Sequence, residues 1–134
     1  MKNLFYFILL AFFTLSACNS TAQKETSTQQ PSVEVNYNIL TAAEFKVALG
    51  KEENPQLIDV RTTQEFEAGS IIGAKNYDIL NGSFKKKLGT LNKNKPVYVF
   101  CRSGGRSGKA SAMLQKNGFT HIIDLKGGFD EWSR

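Results

Sequence analysis

Pro96 to Ser107 reads PVYVFCRSGGRS, and the way this apolar run turns abruptly into glycine, serine and arginine decides the fold. Val97, Tyr98, Val99 and Phe100 are β-branched or aromatic and show no polar alternation. That is the pattern of a strand buried on both faces of a parallel sheet. Cys101-Arg102-Ser103-Gly104-Gly105-Arg106 follows as a tight loop, and Ser107 to Lys116 carries a helical pattern that Asn117-Gly118 closes. The unit is strand, loop, helix.

A thiol at the carboxyl end of a strand, facing the amino terminus of the next helix, sits among unpaired N–H groups and the positive end of a helix dipole. These groups favour the thiolate, the reactive form of cysteine. Gly104 and Gly105 let the backbone curl so that the N–H groups of Ser103, Gly104, Gly105, Arg106 and Ser107 can converge on one anion. Arg102 and Arg106 add permanent charge and forked donors suited to a tetrahedral oxyanion. The loop reads as an activated cysteine, Cys101, in a cradle for a small oxyanion.

Outward from this unit the elements alternate. Thr41-Ala42-Ala43-Glu44 has the spacing of a capping box and opens a helix that runs to Leu49, with Gly50 as its stop. Gln56 to Val60 is a short β-rich run, and Thr62 with Glu65 caps a second helix. A short strand is expected around Asn76 to Asp78, a basic turn of helix over Ser83 to Leu88, and a last strand over His121 to Asp124. Repeated β-α order implies an α/β domain, a mainly parallel sheet with helices on both faces.

Four segments in order, IDVR at Ile58 to Arg61, GSIIGAKN at Gly69 to Asn76, CRSGGRS at Cys101 to Ser107 and LKGGFDEW at Leu125 to Trp132, together resemble a single-domain rhodanese. The resemblance implies a rhodanese-like domain over residues 36–134. It implies a sulfurtransferase that moves sulfane sulfur from thiosulfate or a persulfide donor to a thiol, or to cyanide in an assay, through a Cys101 persulfide. No cofactor or metal is implied. Ser70 and Ile72 stand where the family commonly has His and Pro, a departure that bears on how this turn packs.

Asp59 and Arg61 flank Val60 at the end of a strand, where ligands of open α/β sheets bind. We read them as supporting residues: Asp59 accepts N–H groups from the cysteine loop, and Arg61 pairs with Glu65 one turn on. His121, the one histidine of the chain, is expected to be a partly exposed strand residue rather than a base, since a base must lie within reach of its proton. Phe129 and Trp132 are expected in the core.

The amino terminus has a different character. Lys2, an apolar run from Leu4 to Leu15 broken only by Thr14, and Leu15-Ser16-Ala17-Cys18 have the layout of an export signal ending in a lipobox. The expected organisation is a signal peptide over 1–17, a lipidated Cys18 with a solvated Ser/Thr/Gln linker over 18–35, and the domain beyond. The mature protein would then be anchored in the cell envelope, facing the periplasm or the outside. With Cys18 acylated, Cys101 has no partner for a disulfide. A net charge of +5, carried partly by Lys85, Lys86 and Lys87, reads as a solvated face that draws in anions and can touch anionic headgroups. It lacks the interleaved aromatics of a nucleic-acid surface. The chain is expected to be a monomer.

Two other readings share the loop. A cysteine-dependent phosphatase or arsenate reductase resembles Cys, five residues, Arg, whereas here Arg106 follows Cys101 after four. A noncatalytic sulfur-carrying or binding module on a lipoprotein tether is the other.

Overall fold

The computed structural model describes residues 34–134. The segments expected to be a signal peptide over 1–17 and a lipidated Cys18 with its linker lie outside the described residues, save for the last two linker positions. Five strands form one sheet, β1 (Asn36–Leu40), β2 (Gln56–Asp59), β3 (Lys75–Asn76), β4 (Val97–Phe100) and β5 (His121–Leu125), in the order β1-β5-β4-β2-β3. Every neighbouring pair is parallel. The strand expected at Asn76 to Asp78 lies slightly earlier, because Asp78 turns inward to accept the N–H groups of Leu80 and Asn81.

The helices are α1 (Ala42–Leu49), α2 (Thr63–Glu67), α3 (Ser83–Lys87), α4 (Gly105–Lys116) and α5 (Gly128–Trp132), with a 3-10 turn over Leu88–Thr90. Both expected capping boxes are present. Thr41 and Glu44 exchange bonds at the start of α1, and Thr62 and Glu65 do so at the start of α2. The reciprocal bonds satisfy N–H groups that the first turn leaves unpaired.

Strand β4 is buried along its whole length and divides the core. Val97 and Val99 face one cluster with Phe84, Ala110, Leu114, Phe119 and Ile122, whereas Tyr98 and Phe100 face another with Phe45, Leu57 and Leu125. Alternate side chains of a strand point to opposite faces. The first cluster lies under α3 and α4, and the second packs against α1 and α5. Trp132 and Phe129 are partly buried against this second cluster, Trp132 meeting Phe45 edge to face at 6.2 Å. Being next in register after Phe100, Cys101 falls on the α4 side, and parallel strands bring the carboxyl ends of β2 and β4 to the same edge.

At that edge the structure corrects the expected pairing of Asp59 and Arg61. Asp59 accepts from Arg61 itself, from the backbone N–H at 2.9 Å and from the guanidinium Nη2 at 2.6 Å, and from the Ser70 hydroxyl at 2.7 Å. Arg61 also donates to the Gly69 carbonyl at 2.7 Å and lies over the Phe129 ring at 4.2 Å. Glu65 is therefore not the partner of Arg61, and the cysteine loop does not bond to Asp59. Two residues apart at a strand end, Asp59 and Arg61 close a local ring that an i,i+4 rule for helices does not anticipate. Ser70 thereby ties the turn after α2 to Asp59, while Ile72 is 97% exposed.

Asp59 and Arg61 are buried together, at 0% and 4% exposure. Removing one member of such a pair strands the other charge at a cost of about 3–5 kcal/mol. Asp59→Ala is expected to destabilise the domain by that order in urea denaturation, and Ser70→Ala by about 1 kcal/mol.

Candidate functional site

Helix α4 begins at Gly105, two residues earlier than its hydrophobic pattern suggests. The second half of the loop is thus the first turn of the helix. Gly104, at φ +106°, occupies the left-handed region just before it, a conformation that glycine adopts without the steric penalty of a Cβ. This reversal turns the chain back over the end of β4. It points the unpaired N–H groups of the first turn at the cysteine sulfur.

Cys101 is 1% exposed. The Gly104 N–H donates to its Sγ at 3.1 Å. Burial is the largest influence on the thiol and opposes its ionisation. The Ser107 N–H and hydroxyl, with the N–H groups of Gly104 and Ser103, outweigh it and leave the thiol below its ordinary value. Of the five N–H groups expected to converge on the sulfur, that of Gly104 makes the hydrogen bond, and those of Ser103 and Ser107 favour the thiolate. The Ser107 hydroxyl donates its one hydrogen to the Gly104 carbonyl at 3.0 Å.

The two loop arginines have different surroundings. Arg106 places both ends of its fork on Glu65, at 2.6 and 2.7 Å. Glu65 thus has two tasks, capping α2 and clamping the cysteine loop to it. The Arg106 bond is the first cause holding the Glu65 carboxyl far below the usual range, to about 2. Arg102 instead stands exposed at the mouth, 3.5 Å from Asp130.

A second clasp comes from the carboxyl end of the chain. The Phe129 N–H donates to the Cys101 carbonyl at 2.8 Å, and the Asp130 N–H donates to the Arg102 carbonyl at 3.0 Å. Both bonds need the close passage of Gly128, at φ +62°, where a Cβ would collide with those carbonyls. Glycine is the residue for such an approach. Here the LKGGFDEW segment has a concrete duty: its glycines allow the start of α5 to hold the cysteine loop from the far side.

In front of the loop is a shallow cavity of about 190 Å³, lined by Arg61, Glu65, Gly69, Arg102, Phe129 and Asp130 among others. Phe129 was expected in the core and is also part of this wall. His121 is exposed on β5, where its Nδ1 lies 3.0 Å from the neighbouring Thr120 hydroxyl. Among the described residues, no group of three or more His, Cys, Asp or Glu side chains converges as metal ligands would.

The rhodanese-like domain model matches residues 41–134, a span that holds the cysteine loop, both of its clasps and every helix of the described fold. The chain belongs to the rhodanese-like family. The uncharacterized protein YqhL of Bacillus subtilis is 44% identical over 93 residues, which are 69% of this chain and 70% of YqhL. The thiosulfate sulfurtransferase GlpE of Pseudomonas putida is 35% identical over 89 residues, 66% of this chain and 79% of GlpE. A crystal structure of a rhodanese-like domain protein from Staphylococcus aureus superposes with a TM-score of 0.64 at 32% identity, covering 72% of this chain and 90% of that one. Rhodanese-like domains are thus its relatives in sequence and in fold.

Sequence reasoning missed the partner of Arg106 and the clasp by α5. Glu65 had been assigned as a cap and as a mate for Arg61; its distance along the chain from Arg106 hid the pairing. The double glycine was a visible signal, since paired glycines before a helix often mark a close backbone approach.

The low Glu65 value has a consequence for stability. A carboxylate whose folded value is depressed contributes stability above its unfolded value, and that contribution is lost as pH falls toward the folded value. The wild-type domain is therefore expected to lose stability between about pH 5 and pH 2. Glu65→Gln is expected to be less stable at pH 7 and flatter across this window, as read by denaturation midpoints at pH 7, 4 and 3. Separately, Gly128→Ala is expected to loosen the loop, seen as faster hydrogen exchange at Gly104 and Ser107 with the sheet amides unchanged.

Proposed function

We propose that this rhodanese-like protein is a sulfurtransferase with Cys101 as its nucleophile. The observation that carries the reading is the buried Sγ, bonded by the Gly104 N–H at 3.1 Å and ionised more readily than an ordinary thiol. The Cys101 thiolate attacks the outer sulfur of thiosulfate or of a persulfide donor. A new S–S bond forms, the donor's own S–S or S–sulfonyl bond breaks, and its electron pair departs with sulfite or a thiolate. Cys101 is left as a persulfide, so one difficult transfer becomes two easier ones.

The terminal sulfur of that persulfide is again an anion. The same N–H groups of Ser103, Gly104 and Ser107 that favour the thiolate stabilise it, and they need no reorganisation to do so. Arg102 meets the donor's oxyanion at the mouth of the cavity. Arg106 adds positive charge beside the sulfur while Glu65 holds its fork, and Gly105 gives the turn its room. A thiol acceptor, or cyanide, then takes the outer sulfur and returns the thiolate. Asp59 and Arg61 support this site by holding the strand end and the Gly69 turn.

The amino-terminal sequence supports export of this domain as a lipoprotein, with residues 1–17 removed, Cys18 lipidated and the segment up to about residue 35 serving as a tether in the cell envelope. Sulfur chemistry there would need a donor and acceptor outside the reducing cytosol.

The test is mass spectrometry of the Cys101 peptide after incubation with thiosulfate, and separately with a low-molecular-weight persulfide. A gain of one sulfur atom, reversed by cyanide, is expected. Cys101→Ala should abolish thiocyanate formation, a loss of at least about 10³-fold if the thiolate is the nucleophile. Turnover persisting in that variant overturns the assignment. Stable persulfide with no turnover marks a sulfur carrier, and hydrolysis of an aryl phosphate without sulfur uptake marks a phosphatase.

A further inference from the structure

The charges around the cysteine loop stand in pairs. Asp59 holds Arg61 at 2.6 Å, Glu65 holds Arg106 at 2.6 Å, and Arg102 faces Asp130 at 3.5 Å. Two of these pairs are closed, since both carboxylate oxygens of Asp59 accept from Arg61 and both of Glu65 accept from Arg106. The third is open. Its side chains are 69% and 47% exposed, and the distance from Nε to Oδ2 exceeds that of an ordinary N–H···O bond. Among the described residues neither has another ion-pair partner. The Arg102 donors and the Asp130 acceptors are therefore available to a third party.

The open pair is built into the clasp of the loop. The Asp130 N–H donates to the Arg102 carbonyl at 3.0 Å, so the two charges rise from backbones that are fastened together. Both residues line the cavity in front of the loop, with Phe129 as an apolar part of the same wall. An anion that enters meets Arg102 in competition with Asp130. Thiosulfate carries two negative charges and no positive one, so the carboxylate opposes what the guanidinium attracts. An α-amino acid meets no such conflict: its carboxylate suits the fork of Arg102, and its ammonium suits Asp130.

We propose that Asp130 is a specificity-determining residue, and that the Arg102–Asp130 pair selects a zwitterionic persulfide borne on a low-molecular-weight α-amino acid over the thiosulfate dianion. The donor's carboxylate lies on Arg102 and its ammonium on Asp130, which leaves its outer sulfur to Cys101. The Cys101 thiolate attacks the terminal sulfur of R–S–SH and forms a new S–S bond with it. The R–S thiolate leaves with the electron pair of the old bond, and the proton stays on the transferred sulfur. Glu65 does not serve in place of Asp130, because Arg106 occupies both of its oxygens. The inference rests on the sulfurtransferase reading and adds which class of donor the mouth prefers.

Two measurements on the full chain test it, both read by mass on the Cys101 peptide. The first compares alkylation by iodoacetate and by iodoacetamide, an anionic and a neutral reagent for the same sulfur. Their rate ratio cancels the fraction of thiolate and reads the charge at the mouth without sulfur transfer. Asp130→Asn should raise the ratio for the anionic reagent about threefold. Asp130→Glu should keep it near wild type, and the gain should shrink at about 1 M salt, where charges are screened within about 3 Å. The second measures the second-order rate at which Cys101 gains sulfur from cysteine persulfide and from thiosulfate. The wild type should favour cysteine persulfide, and Asp130→Asn should shift the balance toward thiosulfate by about tenfold, because the lost charge acts with opposite sign on the two donors. A merely structural role for Asp130 would move both reagents and both donors together and leave each ratio in place. Ratios that do not move in Asp130→Asn overturn the proposal, and so does a wild type that takes sulfur faster from thiosulfate. No sulfur gained from either donor overturns the sulfurtransferase reading and this inference with it; sulfur gained from both at unmoved ratios overturns this inference alone.

Discussion

The structure depends on a contest at one atom. Burial of the Cys101 sulfur works against a negative charge there, and backbone N–H groups aimed at the sulfur work for it. The donors prevail because they are fixed. They belong to a reversal that Gly104 permits and to the first turn of α4, where N–H groups have no partners within the helix. A side chain supplying the same bonds would have to be ordered for the purpose, at an entropic cost that a helix terminus has already met in folding.

A backbone cradle is useful only if it keeps its shape, and the chain restrains it from two directions. In front, the Arg106 fork locks onto Glu65, whose second duty is to cap α2. At the far side, Gly128 brings the first N–H groups of α5 against the Cys101 and Arg102 carbonyls. Beyond these lies the Asp59–Arg61 ring, tied by Ser70 and by the Gly69 carbonyl. Segments far apart in sequence thus end in one neighbourhood, as the carboxyl edge of a parallel sheet requires.

This division of labour separates the two loop arginines. Arg106 keeps its charge close to the sulfur but commits its hydrogen bonds to Glu65. Arg102 is held only loosely, exposed beside Asp130. The part of the site that holds the Cys101 sulfur is buried and pre-formed, whereas the cavity in front of it is open, shallow and mixed in charge.

Much of this protein was legible without coordinates. The apolar VYVF run, the CRSGGR loop and the two Thr-x-x-Glu capping boxes are local signals, decided by burial on two faces of a strand and by N–H groups within a few residues. They were enough for the α/β class, the cysteine and the glycine turn. What remained hidden was every interaction whose partners are brought together by folding: Glu65 with Arg106, 41 positions along the chain, and Gly128 against the loop carbonyls. Arg61 shows why. From sequence, an arginine four before a glutamate at a helix start pairs with it; in space, Asp59 is nearer, buried with it and geometrically matched, so the closer carboxylate took the arginine and left Glu65 to the loop. Spacing along the chain determined which groups could meet, and only the packing of the sheet edge, where burial makes an unpaired charge costly, decided which of them did.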